Sequence, residues 1–337
     1  MQFARRSLIA AVCTLGLLVA SATAQAQNTK LLPNDTEMIV ALNLGQILKS
    51  DVLKKNELIV NLIKGQIEDQ LDSQGVSKWL KQADFDLFRD LTSVTVAVPG
   101  GKREPGDSFI LLEGKFDSDK IETAAKEASK DAGDAFEVFK IGATKVFKIA
   151  PQDQKTVYAS VLDKKTMVIS ASKEDVTEAI GRLSSGKKAA FKADVIKSLL
   201  ETVNSKQSIN VVATSGMMTK IAENAPQGGD KAKDALETID GLSVAITIDK
   251  DIDFQLGVNA KTKETASQYA TLGNLGLKGA EAKLKDLAKK DERFGPAVDV
   301  LKTVRINAQG SNLVVRGQIS IDALTEILKN LPLPNNE

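Results

Sequence analysis

The sequence predicts an α+β fold made of two related halves, each an antiparallel sheet with helices packed on one face. Two observations predict this fold. Residues 158–180 read as a strand, a tight polar turn, a second strand and a helix, and residues 306–328 repeat that order. Most of the strands also alternate apolar with polar residues, a pattern typical of antiparallel sheets that are covered on one side only.

The first half begins with a strand and a helical region. Apolar residues three or four positions apart predict a helix over residues 45–73, and Asp117 or Ser118 is placed to cap a later helix that reaches about residue 130. A shorter helix is expected over residues 77–83. The strands expected before the repeated unit are residues 37–44, 91–98, 108–116, 136–141 and 144–150.

The second half follows the same order. It begins with a strand over residues 208–214, and two shorter helices follow it. A hairpin comes next, and a long helix then leads into the second copy of the repeated unit. The expected bounds are helices at about 216–224 and 230–238, strands at 242–248 and 252–260, and a long helix at about 263–290.

Matching positions in the two halves keep nearly the same spacing along the chain. Val94 and Val244, in corresponding strands, are separated by almost the same number of residues as Ala179 and Ile327, in the corresponding helices. Self-similarity at a fixed spacing indicates an internal duplication. We therefore predict a signal peptide over residues 1–26, a first α+β repeat over 27–185 and a second over 186–337, with the junction in the polar segment 184–188.

The alternation gives the predicted sheet a polar side. This side is rich in small neutral groups and carries few Lys or Glu residues. An ordinary solvated face explains it, and so does a surface that the two halves, two molecules or a ligand cover. Both interpretations stay open, and the second predicts self-association or a protein partner through the polar sheet face. In the strand 252–260 its members are Asp253, Gln255, Gly257 and Asn259.

The first residues predict a cleaved signal peptide. Arg5 and Arg6 precede a short apolar run over residues 8–20, and Ala24-Gln25-Ala26 is a small-x-small cleavage site. We expect cleavage after Ala26, with Ala24 as the second choice, and export to the periplasm or the extracellular space. A membrane-spanning helix needs about 20 apolar residues. No transmembrane segment is therefore expected after cleavage.

The composition argues against several classes of partner. Removal of Arg5 and Arg6 with the signal peptide lowers the 45 basic residues to 43, against 44 acidic ones, so the mature chain is nearly neutral. This balance gives no support for a nucleic-acid partner, which a basic protein would attract. Aromatic residues make up only 4% of the chain. Their scarcity argues against carbohydrate and single-strand nucleic-acid sites that depend on ring stacking.

The mature chain contains no histidine and no cysteine, since Cys13 lies in the predicted signal peptide. This composition excludes disulfides, thiol nucleophiles, Ser-His-Asp relays and the metal sites that need imidazole or thiolate. We therefore expect no catalytic, metal or cofactor-binding residue and no cofactor. Carboxylate pairs can hydrolyse glycosides without histidine. Spacing, however, selects no pair among the 44 acidic residues.

One short motif matches a metal site in part. Asp249, Asp251 and Asp253 have the spacing that opens a calcium-binding loop. Phe254 and Ala260 stand where that loop needs a glycine and a bidentate glutamate. We therefore expect this segment to form a hairpin turn and to bind no calcium.

The opening of the mature chain resembles that of a known family. Leu32-Pro33-Asn34-Asp35-Thr36 precedes a strand that ends in Leu42-Asn43-Leu44, and Gln46-Ile47-Leu48-Lys49-Ser50 follows it. These residues, together with the later strand at 91–96, resemble uncharacterised secreted bacterial proteins whose mature chains begin with L-P-x-D-T before a short strand. The resemblance implies export and a tandem α+β fold. The family has no assigned activity, so it implies no site residue.

The sequence leads to three hypotheses about function. The first is an exported non-catalytic protein with a binding or structural role in the periplasm or cell envelope. The second is a carrier that holds an apolar ligand between the sheet and the helices. The third is a hydrolase that uses carboxylates alone. The residues expected to line the apolar site of the second hypothesis are small or slim, namely Ala266, Tyr269, Ala270, Gly273 and Leu277.

Overall fold

A computed structural model describes residues 29–73, 76–101, 107–132, 136–150, 155–203, 207–223 and 234–330. The predicted signal peptide and its cleavage sites at Ala24 and Ala26 lie outside these residues. The strands are β1 (Thr36–Leu42), β2 (Leu91–Pro99), β3 (Phe109–Gly114), β4 (Phe136–Ile141), β5 (Thr144–Ile149), β6 (Val157–Asp163), β7 (Thr166–Ser170), β8 (Ile209–Thr214), β9 (Ile239–Ile248), β10 (Ile252–Ala260), β11 (Arg305–Gln309) and β12 (Asn312–Ile319).

Helices occupy most of the segments between the strands. Two short ones replace the beginning of the long helix predicted after β1, because Ser50 caps a new helix there by accepting a hydrogen bond from Leu53. The helices are α1 (Leu44–Ile47), α2 (Asp51–Lys54), α3 (Glu57–Ser73), α4 (Val76–Gln82), α5 (Leu87–Asp90), α6 (Ser118–Ala132), α7 (Lys173–Ser185), α8 (Asp194–Glu201), α9 (Ser215–Glu223), α10 (Lys263–Ala288), α11 (Gly295–Thr303) and α12 (Ile321–Asn330).

All the described strands belong to one antiparallel sheet, which confirms the predicted α+β class. Its order is β11-β12-β10-β9-β8-β1-β2-β3-β7-β6-β5-β4. The two predicted halves meet in the middle of the sheet, where β1 pairs with β8 and Val40 lies opposite Val211. The halves therefore share one continuous sheet.

The strand order of the two halves corresponds outward from this central pair. The first half runs β1-β2-β3-β7-β6 and the second runs β8-β9-β10-β12-β11, while β4 and β5 extend the first half alone. The helices that follow the last hairpins differ. Helix α7 packs on its own hairpin β6–β7, whereas α12 packs chiefly against α11. The internal duplication stays a prediction.

The first half carries helices on both faces of the sheet, so the prediction of helices on one face is corrected here. Successive strand residues point to opposite faces. Ile39 and its cross-strand neighbour Ala97 belong to one hydrophobic cluster, while Val40 and Val96 belong to another. Helices α7 and α8 cover the first cluster, and α6 covers the second. We call these two sides of the sheet the α7 face and the α6 face.

Small neutral side chains explain this correction. In β2, Thr95 and Ala97 alternate with Val94 and Val96, and neither is strongly apolar, so the alternation alone places them on the polar side. Thr95 is 1% exposed and Ala97 is fully buried, on the α7 face. Their small size lets helices approach the sheet closely and fill the space with their own apolar residues. Val176, Ala179 and Ile180 of α7 supply part of that packing.

An ion-pair group fixes α6 against the sheet. Lys126 Nζ lies 2.7 Å from a carboxylate oxygen of Glu122, and Lys145 of β5 donates to the other oxygen. Hydrogen bonds from Lys126 and then Lys145 lower the pKa of Glu122 from 4.5 to about 2. The carboxylate therefore stays charged across the range in which an ordinary glutamate is protonated.

We predict that Glu122→Gln lowers the free energy of unfolding at pH 7 by about 1–3 kcal/mol, because it removes a charge-assisted bond. Because the folded-state pKa is the lower one, this contribution is complete above about pH 4.5 and is lost as the pH falls to about 2. Urea unfolding at several pH values measures it. The exposed Glu127 of the same helix supplies the control, Glu127→Gln. A difference between Glu122→Gln and the native chain that did not change with pH would contradict the assignment.

Candidate functional site

A single row of side chains on the α7 face changes from buried to exposed along its length. The row joins residues that lie directly opposite one another on ten neighbouring strands. Its first seven members are fully buried or nearly so, and its last two are exposed. The members in order are Ser160, Val168, Leu111, Thr95, Ala41, Asn210, Ala245, Gln255, Arg316 and Arg305.

The change occurs where the covering helices end. Helix α8 packs on β1, β8 and β9, and the described helices that contact β10 to β12 most are α10 and α11. Helix α10 lies on the α6 face, since Gly273 approaches the side chain of Ile306 there. We define the open face as the polar α7-face residues of β10, β12 and β11. They are Asp253, Gln255, Asn259, Asn312, Arg316, Gln318, Arg305, Asn307 and Gln309.

The open face has an unusual composition for exposed strands. Six of its residues carry carboxamides, and three of these are asparagines, which are depleted in β-strands. Gly257, also on this side of β10, leaves room for Ser243, whose hydroxyl oxygen would lie 2.5 Å from an added Cβ. These choices do not favour strand formation. A solvated surface accommodates these hydrogen-bonding groups, and so does a surface that contacts a ligand.

Two arginines form the charged part of the open face. Arg305 and Arg316 lie directly opposite each other on β11 and β12, and both are exposed. Arg305 Nη1 donates to the carbonyl oxygens of Lys302 and Val304, at 2.7 and 2.8 Å. Arg316 Nε donates to Gln255 Oε1 at 2.8 Å. Like charges opposite each other destabilise a sheet, so this pairing has an energetic cost.

Asp253 and Asp299, two carboxylates in the same part of the chain, already accept hydrogen bonds. Asp253 Oδ1 accepts from the amide of Gln318 at 3.1 Å, one row away from Arg316. Asp299 accepts from the ammonium of Lys302 at 2.8 Å, and this bond raises the pKa of Lys302. Among the described residues no carboxylate forms an ion pair with either arginine. Both guanidinium groups therefore keep donors for a ligand.

The residues predicted to line an apolar ligand site all lie on α10. Ala266 is fully buried, and Tyr269, Ala270, Gly273 and Leu277 are half-buried. The hydroxyl of Tyr269 is 2.6 Å from Thr238 Oγ1, and a Cβ on Gly273 would lie 3.0 Å from Ile306. The small residues thus bring the helix close to the sheet. Their role in holding a ligand stays a prediction.

One cavity is a surface groove of about 470 Å³ beside the junction of the two predicted halves. Arg182 lies at its base and donates to the carbonyl oxygens of Leu31 and Leu32 and, at 2.5 Å, to Glu178. Arg182 is 8% exposed. Its donors therefore attach the segment that precedes β1 to α7, and the groove has a structural explanation. Another cavity, of about 10 Å³, lies under α8.

We predict that Arg182→Ala lowers the free energy of unfolding by about 1–3 kcal/mol or more, because the substitution leaves buried carbonyl groups without a donor. Urea denaturation followed by circular dichroism measures the change. Arg293→Ala is the matched control, since Arg293 is exposed and its ion pair among the described residues is with Asp291, two residues away. Equal losses of unfolding free energy in the two variants would show that the buried hydrogen bonds of Arg182 add no stability.

The aspartates of the calcium-like motif have structural roles. Asp249 and Asp251 form the turn between β9 and β10, where the carbonyl of Asp249 accepts from Val52 and the carboxylate of Asp251 accepts from Ile321. Asp253 points to the open face. Within the described ranges no group of three or more acidic residues is arranged to hold a metal ion. The same ranges contain no helix with the length and apolar character needed to span a bilayer.

Sequence reasoning identified the polar side of β10 but not the two arginines. Continued alternation from Leu313 through Val315 places Arg316 with Val314 on the polar side, and this signal was available. The pairing of the two arginines depends on the register of β11 with β12. That register follows from the short turn at Gly310 and Ser311, in which Gly310 has a φ of +60°.

No family model matches the sequence, and no curated protein matches it. Solved structures of similar fold include three crystal forms of TP0453. Form III is 11% identical with a TM-score of 0.48, covering 91% of this chain and 99% of that one. Form IV is 12% identical with a TM-score of 0.47, covering 94% and 100%. Form I is 10% identical with a TM-score of 0.38, covering 92% and 99%.

Proposed function

We propose that the chain is an exported, non-catalytic binding protein of the periplasm or cell envelope that acts through the open face. The observation that supports this proposal is the exposed end of the α7 face. A fold that needed only to be stable would place strand-forming residues such as threonine there. The open face instead carries six carboxamides and two opposed arginines, which favour ligand contacts over strand formation.

The chemistry of the chain supports a non-catalytic role. The mature sequence has no histidine and no cysteine to act as a nucleophile or a general base near neutral pH. Asp253 is the one carboxylate of the open face, and a glycosidase needs two. The groups of the open face are therefore suited to binding a ligand and lack the usual means to transform it.

We predict that a photo-crosslinking residue in place of Asn307 captures the native ligand or partner in cells that export the full chain. Asn307 is exposed in the middle of β11, so the probe lies within the open face. Mass spectrometry of the purified adduct measures the result. The matched control is the same probe in place of Gln268, which is exposed on α10 across the sheet.

Adducts of equal yield at Asn307 and Gln268 would argue against a binding role for the open face. So would the absence of any adduct at Asn307. Hydrolysis of a glycoside or ester panel by the purified chain, abolished by one Asp or Glu substitution, would instead support the carboxylate-only hydrolase. Co-purified lipid in native mass spectra would support the apolar-ligand carrier, with its site expected along α10.

A further inference from the structure

The positions of the side chains on the open face indicate what kind of ligand it fits. Arg305 and Arg316 form one row with Gln255, and neither arginine has a described carboxylate as a partner. An anion between two adjacent guanidinium groups would relieve their repulsion. Planar guanidinium donors match a carboxylate in bidentate geometry. A carboxylate is therefore the group that these two residues fit.

The rest of the open face offers hydrogen bonds to uncharged groups. Val314 lies in the row next to the arginines, and a row of carboxamides follows it. Adjacent rows on one face are two residues apart along a strand, or about 7 Å. Each carboxamide both donates and accepts, as a hydroxyl does. The carboxamides of this row are Asn259, Asn312 and Gln309.

We propose that the open face binds an acidic polysaccharide. Arg305 and Arg316 hold the carboxylates of its uronate sugars, and the carboxamide row on the other side of Val314 holds its hydroxyls. This inference rests on the proposed function and specifies its ligand. Ring stacking is not part of the contact, since the open face contains no aromatic residue. The scarcity of aromatics in the chain is therefore compatible with this kind of sugar recognition.

The same features disfavour a protein occupant. Stable protein interfaces are centred on buried aromatic or large apolar residues, and the open face surrounds a single apolar residue, Val314. A second copy fits less well still. A two-fold contact would bring together two surfaces that each carry two arginines against one aspartate, Asp253. The charge and the carboxamides together favour the polyhydroxylated anion.

The test is calorimetric titration of the full mature chain with three polymers at about 0.1 M salt, where charges further apart than about 10 Å are screened. The polymers are polygalacturonate, its fully methyl-esterified form and polyaspartate. We expect polygalacturonate to bind at least tenfold more tightly than either of the others. Arg305→Gln and Arg316→Gln should each weaken that binding at least tenfold. Arg293→Gln, a change at an exposed arginine elsewhere, should leave it unchanged.

Three outcomes would overturn the inference. Equal binding of the methyl ester would show that carboxylates are not recognised, and equal binding of polyaspartate would show attraction to charge alone. Unchanged binding in both arginine variants would place the site elsewhere. The proposed function has a separate test, which is the crosslink at Asn307. A protein adduct at Asn307 without polygalacturonate binding would keep the binding role and remove the polysaccharide.

Discussion

The pairing of β1 with β8 is the interaction on which the rest of the structure depends. Among the described strands it is the one pairing that joins the two halves of the sheet, and its register is centred on Val40 and Val211. We call this β1–β8 pairing the central seam. Side-chain hydrogen bonds at its end reinforce it. Gln46 donates to the carbonyl of Ile248 at 2.7 Å and accepts a hydrogen bond from the hydroxyl of Ser208. The seam aligns the rows of side chains that cross both halves.

This alignment explains how one sheet can have a closed and an open end on the same face. Helix α7 follows β7 and returns over its hairpin, where Val168 and Leu111 give it an apolar surface. Beyond β9 the row continues with Gln255 and Arg316, which offer a helix nothing to pack against. The apolar residues of α12 pack chiefly with α11 instead. Residue choice in the row therefore decides where the helical layer ends.

Much of the fold could be predicted from the sequence because hydrophobic periodicity is a local signal. The α+β class, the hairpins and the long helix α10 all follow from alternation or helical spacing. The two-sided core could not be predicted, because Thr95 and Ala97 are as compatible with a solvated surface as with a tightly packed helix. Only the tertiary contacts of α7 and α8 decide between them. Only part of the candidate site could be predicted. Its polar side follows from the alternation, but the position of Arg305 opposite Arg316 depends on the register of β11 with β12.

The central seam also has a consequence for the order in which the structure can form. Strands β1 and β8 are separated by more than 160 residues in the chain, yet they are immediate neighbours in the sheet. Such distant partners pay a large loop-closure entropy before they contact, and topologies of this kind fold slowly. Because the chain is synthesised from its N-terminus, one hydrogen-bonding edge of β1 stays unpaired until β8 has been made. Late closure of this edge would keep the polypeptide loosely folded until the second half of the sheet has been made.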